Sequence, residues 1–153
     1  MTRPVEIMVL DTRLHEWGLP TYQSAMAAAI DLHACLDKPL ELHSGTSPVL
    51  IPAGFALHMN DPAMAALILP RSGAGHRRGL VLGNLVGLID ADYTGPILVS
   101  AWNRNGGGQP IVVQPGERFA QMAFVPIVRP VLTVVGAFTT ASARGGDGFG
   151  STG

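Results

Sequence analysis

Residues 69–79, LPRSGAGHRRG, bring Arg71, Ser72, Gly73 and Gly75 close together. A serine and glycines at the start of a helical turn leave backbone N–H groups pointing outward, which is an anion cradle. Arg71 adds a planar fork that grips phosphate through two bonds. The stretch also reads as a plain surface turn, with Ser72 as the N-cap of a single helical turn over SGAGHRRG. The glycine spacing is wrong for a dinucleotide fingerprint, and no βαβ unit surrounds it. A P-loop is excluded because the only lysine, Lys38, is not in a Gly-rich loop.

A second stretch is GNLVGLIDADYTGPILVSAWN, residues 83–103. Two strand-like runs flank DADYTG, a hairpin turn signal. Asp90 closes the first run, where partial burial suits a general base. Asp is equally a common turn residue without chemistry. A third is QPGERFAQMAFVPI, residues 114–127. Strand alternation would put Arg118 and Gln121 on opposite faces. A polar Gln in an apolar strand needs a hydrogen-bond partner, structural or ligand. The five histidines show no metal-ligand spacing, and no G-x-S-x-G elbow exists.

The elements that must position these residues are short. Nineteen glycines and twelve prolines are scattered along the chain, which limits long helices. Between them lie β-rich runs: VEIMVL, VLIPAGFALHM, AALILP, GLVLGNLVGLI, PILVSAWN, PIVVQP, RFAQMAFVPIV and PVLTVVGAF. Many short strands with Gly/Pro turns predict an all-β barrel or sandwich. By propensity alone SAMAAAIDLHACL is a helix. The last ten residues, RGGDGFGSTG, read as a flexible tail.

At 153 residues the chain suggests one domain, and its 47% hydrophobic content supplies a sizeable core. Charged residues are only 14%, which suggests that part of the surface is hidden in an oligomer. A net charge of −1 gives no whole-molecule field to recruit nucleic acid. Arginine dominates the basic residues, which suits phosphate, although a GC-rich genome gives the same bias. One cysteine, Cys35, excludes a disulfide framework and fits a reducing, cytoplasmic home. Neither a signal peptide nor a membrane span is expected, since Glu6 and Asp11 interrupt the N-terminal apolar run.

Taken in order, five segments resemble the motifs of the trimeric dUTPase family, closest to its bacterial type. They are AAAIDLHA (27–34), PRSGAG (70–75), GLIDADYTG (87–95), GERFAQ (116–121) and RGGDGFGSTG (144–153). Ala29 and Ala74 depart from the family pattern, which usually has glycine at the first and often a larger apolar residue at the second. The resemblance implies an all-β, jelly-roll-like β-prism or distorted barrel with one short helix. It implies a homotrimer with shared active sites, residues 1–143 forming the barrel and 144–153 a lid. It also implies that SAMAAAIDLHACL is largely extended up to Asp31. The implied reaction converts dUTP and water to dUMP and pyrophosphate with Mg²⁺ on the triphosphate, keeping uracil out of DNA and supplying dUMP for thymidylate synthesis.

In that reading Arg71, Ser72, Gly73 and Gln121 hold the phosphates, with Ser72 also stabilising charge on the leaving oxygen. Asn84, Leu88, Ile89, Tyr93 and Leu98, on a hairpin, receive the nucleoside. Tyr93 excludes a ribose 2′-hydroxyl, and Asp90 orients the attacking water and takes its proton. Asp31 reaches metal-bound waters or orients an arginine, with a structural ion pair as its bland alternative. Arg144 clamps the γ-phosphate and Phe149 stacks on uracil from the closing tail. Other readings are a dCTP deaminase of the same fold, alone or bifunctional, and a non-catalytic trimeric regulatory protein.

Overall fold

Pro96–Asn103 shows how this chain builds a sheet. Ile97, Val99, Ala101 and Asn103 are buried while their neighbours face outward. That period of two is the signature of a strand with one face on a core. The buried Asn103 is satisfied: its Nδ2 donates to the Leu42 carbonyl at 2.8 Å and its Oδ1 accepts from Asn105 N–H at 3.0 Å.

The computed structural model describes residues 4–143 together with 145 and 146. Ten strands are described: β1 (Glu6–Val9), β2 (Ile30–His33), β3 (Leu40–Leu42), β4 (Val49–His58), β5 (Met64–Pro70), β6 (Leu80–Leu82), β7 (Gly87–Ile89), β8 (Pro96–Asn103), β9 (Ile111–Val113) and β10 (Arg118–Pro126). They form two four-stranded antiparallel sheets, ordered β1-β4-β8-β6 and β2-β10-β5-β7, and a β3-β9 pair. One cluster of buried side chains joins all three, with Phe55, Leu32, Ile51, Ile68, Ile97 and Met122 among its largest members. Each such side chain stabilises the fold by about 1.5–3 kcal/mol through burial. Among the described residues the helical content is a single turn, α1 (Leu14–Trp17), and a wide π-type turn at Ala74–Arg78. No helix among the described residues is long and apolar enough to cross a membrane.

Gly54 is one place where glycine is required. Its φ is +81°, the β4–β8 register shifts around it, and a Cβ there would collide with Cys35 Sγ. The bulge lets β4 run past the buried cysteine.

The structure corrects several expectations. GLVLGNLVGLI is not one strand, because a turn at 83–86 divides β6 from β7. The runs flanking DADYTG are not a hairpin: β7 pairs with β5 and β8 with β4 and β6, so Asp90–Gly95 is a corner between sheets. SAMAAAIDLHACL is neither a helix nor extended up to Asp31. Residues 23–29 are bends and a turn, closed by Ala27 N–H to Ser24 O at 3.1 Å, and the strand starts at Ile30. There, pairing with β10 overrides helix propensity. PVLTVVGAF forms no strand, and Val131, Leu132, Val134 and Phe138 are about nine-tenths exposed or more. A β-rich run needs a neighbouring strand edge, and this one has none within the described chain.

Candidate active site

Asp31, in the middle of β2, organises the first cluster. Its Oδ1 accepts from Arg71 Nε at 2.8 Å and its Oδ2 from Arg118 Nη1 at 3.2 Å. Arg71 Nη1 also donates to the Arg118 carbonyl at 3.2 Å. The carboxylate is 12% exposed, while the two guanidiniums are 34% and 48% exposed. Arg71 comes directly after β5 and opens the turn, its carbonyl accepting from Gly75 N–H at 2.8 Å. Ser72 and Gly73 follow it, Ser72 exposed. Ser72 is not an N-cap: Gly73 stands at that position and no side chain caps the turn. The Ser72 hydroxyl therefore stays available to a ligand.

Gln121 lies on β10 opposite Asp31 on one side and Leu69 on the other. Its Nε2 donates to the Pro70 carbonyl at 2.9 Å, immediately before Arg71. Arg118 and Gln121 do not face opposite ways with respect to Asp31, contrary to simple alternation. The β10–β2 register shifts between Arg118 and Ala120, and that irregularity resets the phase. Arg118 was not assigned a role from the sequence. Its signal was weak: a bulge is invisible in the residue pattern, although Gly116, with φ +76°, stands just before it.

A second cluster lies at the corner after β7. Leu88, Ile89, Asp90, Tyr93 and Leu98, with Pro96, line a cavity of about 170 Å³. Tyr93 O–H donates to the Pro96 carbonyl at 3.0 Å. A Cβ on Gly95 would come within 2.5 Å of the Tyr93 hydroxyl oxygen, so the ring lies folded over that glycine. Asp90 is exposed rather than partly buried, because it projects beyond the strand end. It also borders a larger cleft of about 530 Å³, shared with Asp61, Asp92 and Arg129. Asn84 is exposed in the β6–β7 turn and is not part of the smaller cavity's lining. Arg144 and Phe149 lie outside the described residues.

The two clusters stand at opposite ends of one sheet. Ile89 pairs with Ala66, so Asp90 sits level with Ala65. Arg71 is six residues farther along that line. At about 3.4 Å per residue this is roughly 20 Å. Groups that act on one reacting atom must lie within hydrogen-bond reach of it, so one chain does not bring the two clusters to a common point.

Among the described residues, no group of three or more His, Cys, Asp or Glu could hold a metal. Asp31 offers only lone pairs not used by its two arginines. This donor set suits a metal carried on phosphate and water oxygens better than a protein cage. His33 is structural, its Nδ1 2.8 Å from the Gly116 carbonyl. Cys35 belongs to a separate knot. There the Arg13 side chain holds the Asp11 carboxyl below its ordinary range, and burial pushes the Cys35 thiol up to about 11.

A family model described as dUTPase matches residues 15–153. The chain belongs to the dUTPase family. It is 54% identical over 149 residues to the deoxyuridine 5′-triphosphate nucleotidohydrolase of Ralstonia nicotianae, covering 97% of each chain. It is 51% identical over 154 residues to the protein of that name from Cronobacter sakazakii, covering 100% of this chain and 99% of the relative. Among solved structures, a mutant dUTPase of Staphylococcus bacteriophage 80alpha with dUpNHpp is similar with a TM-score of 0.81, at 22% identity over 99% of both chains. A mutant dUTPase of S. aureus phage phi11, described with a structural Mg(II) ion, is similar with a TM-score of 0.76 at 20% identity, covering 90% of this chain and 99% of that one. At such identity these two speak for the dUTPase fold, a jelly roll.

Proposed function

We propose that this chain hydrolyses dUTP to dUMP and pyrophosphate, as a cytoplasmic homotrimer whose active sites are shared between subunits. The observation that carries the phosphate half is the Asp31–Arg71–Arg118 cluster beside Ser72 and Gly73. The observation that supports sharing is the separation of roughly 20 Å between that cluster and Asp90. The exposed apolar arm around Val131–Phe138 supports assembly too, since such a surface calls for cover.

The chemistry is mainly positioning and charge stabilisation. Arg71 grips phosphate oxygens with the N–H groups that Asp31 and Arg118 leave free. Ser72 O–H and Gly73 N–H donate to the same oxygens, and Ser72 stabilises charge as it develops on the departing pyrophosphate. Gln121 contributes the amide valences not used on Pro70. Mg²⁺ bound to the triphosphate would neutralise its charge, and Asp31 would meet its waters.

From the neighbouring chain, the Leu88–Leu98 corner receives the nucleoside. β7 is an edge strand, so one side of its backbone is free to match the two carbonyls and the N3–H of uracil. Cytosine reverses two of those polarities and would leave buried groups unpaired. Tyr93, pinned by its bond to Pro96, closes the space where a 2′-hydroxyl would project. Asp90 orients the attacking water and accepts its proton. Residues 144–153 act as a lid on the 1–143 domain, with Arg144 on the γ-phosphate and Phe149 on the uracil face.

The test is pyrophosphate release from dUTP, dCTP, dTTP and UTP with Mg²⁺. Release from dUTP alone is expected. Ammonia release from dCTP would point to a deaminase instead, and a flat panel to a non-catalytic protein.

A further inference from the structure

We infer that Arg104 is a positioning residue for the hydrolysis: it clamps the turn after β5 from behind and so fixes where the Ser72 hydroxyl and the Gly73 N–H stand. The inference rests on the proposed role of Ser72 and Gly73 and goes beyond it by naming what keeps their turn still. Taken alone, that turn is a weak piece of structure. It is one wide helical turn, Ala74–Arg78, with no side chain capping its start. A helix end also leaves its last carbonyls without partners inside the helix. Here they are taken up from another strand. Arg104 directly follows β8, and its Nη2 donates to the Gly75 carbonyl at 3.0 Å and lies 3.4 Å from the His76 carbonyl. Its backbone N–H donates to the Gly79 carbonyl at 3.0 Å. Beside it, Asn105 Nδ2 donates to the Arg78 carbonyl at 2.9 Å. Two consecutive residues thus satisfy most of the carbonyls from Gly75 to Gly79.

The clamp reaches Ser72 through Gly75. Gly75 N–H donates to the Arg71 carbonyl at 2.8 Å, which closes a small loop with Ser72 and Gly73 inside it. The Gly75 carbonyl is the one that Arg104 holds. Gly75 is therefore fixed at both its nitrogen and its carbonyl, and the arc that carries the two donors is fixed with it. The clamp is itself anchored in the core. Leu80 pairs with Asn103, which sets Arg104 level with Gly79. The buried Asn103 accepts from Asn105 N–H and donates to the Leu42 carbonyl, so the segment that grips the turn continues into the packed interior. Arg104 is exposed, yet its side chain lies back along the turn instead of extending into water. A hydrogen bond contributes only about 0.5–1.5 kcal/mol net to stability. Misplacing a reacting group by about 1 Å costs roughly 10²-fold in rate. The larger consequence of this clamp is therefore on turnover.

The experiment is steady-state kinetics with dUTP and Mg²⁺ on the assembled protein, each variant assayed below its own thermal midpoint. The variants are Arg104→Met, Ser72→Ala, the two combined, and Asn105→Ala. Arg104→Met keeps the stem and removes the donors. It should lower kcat roughly 10-fold and leave KM within about threefold, because the contact it aligns strengthens as charge develops on the leaving oxygen. Once Ser72→Ala has removed the hydroxyl, adding Arg104→Met should cost less than about threefold more, as expected of groups that act through one another. Asn105→Ala removes a tether without changing charge. It should lower kcat in the same direction, and it carries the test if Arg104→Met fails to assemble. A kcat for Arg104→Met within about twofold of wild type overturns the inference, and so do losses that simply multiply in the combined variant. A loss confined to KM and erased by added salt is long-range attraction and overturns it too. If Ser72→Ala leaves kcat unchanged, the proposed role of Ser72 falls. If Ser72→Ala lowers kcat while Arg104→Met and Asn105→Ala do not, only the positioning role falls.

Discussion

Two inactive variants of this chain should rescue each other when mixed. Asp90 and Arg71 lie at opposite ends of the β2-β10-β5-β7 sheet, about six residues of strand apart or roughly 20 Å. If a working site draws Arg71 from one subunit and Asp90 from another, Asp90→Asn and Arg71→Gln damage different halves of it. In oligomers re-formed from an equal mixture, a site works when its Arg71 comes from the Asp90→Asn chain and its Asp90 from the Arg71→Gln chain. Each condition holds for half of the sites, so about one quarter of wild-type turnover should return in a symmetric oligomer with random assembly. The assay is pyrophosphate release after the two variants are denatured together and refolded, with each variant refolded alone as the baseline. Mass-tagged chains establish that mixed oligomers form. Mixed oligomers with only baseline activity would refute the argument from register, because both groups would then have to come from one chain.

Four further outcomes are expected. Asp90→Asn should bind the imido analogue of dUTP near-normally and lose at least roughly 10²-fold in turnover, the scale of a general base; near-normal kcat removes Asp90 from that role. Deleting residues 144–153 should cost turnover severely while light scattering shows the same oligomer; unchanged turnover would mean a passive terminus. Cys35, with its thiol raised to about 11 by burial and the Asp11 charge, should resist iodoacetamide at pH 8 unless the chain is unfolded. The unfolded thiol ionises at about 9.0, so stability should be level below that and fall as pH rises from 9 towards 11. Denaturation midpoints against pH, wild type beside Cys35→Ala, read the steeper fall in the wild type.

Where neighbouring residues decide the structure, the sequence was readable. Pro96–Asn103 alternates cleanly and is a strand over those residues. The Arg71–Ser72–Gly73 turn follows β5 as its composition suggests. What failed depends on partners distant in the chain. The alanines of 25–29 favour helix locally, but the pairing of Ile30–His33 with β10 decides the segment. DADYTG looks like a hairpin because turn residues do not reveal which sheet each flanking strand joins. PVLTVVGAF has strand composition and no strand beside it. Arg118 was missed for the same reason: its side chain reaches Asp31 through a register shift that spacing cannot show.

The nucleoside role proposed for the corner after β7 would also account for the shortness of that strand. A strand with a free edge can pair with any stray chain, and short edges limit that hazard. β7 has three residues, and its partner β5 covers only one side. A longer edge would recognise uracil no better, since one pyrimidine ring spans only a few backbone groups, and it would invite pairing with other strands. The edge breaks off directly into Asp90 and the Tyr93 fold, so in the proposed site the chain that reads the base would also present the carboxylate. In the proposed site, base reading and water activation would thus be bound into one corner, with the phosphate-gripping cluster built around Asp31 at the far end of the sheet. On that proposal only assembly would bring the two together, and an isolated chain is expected to hold either end of the nucleotide without hydrolysing it.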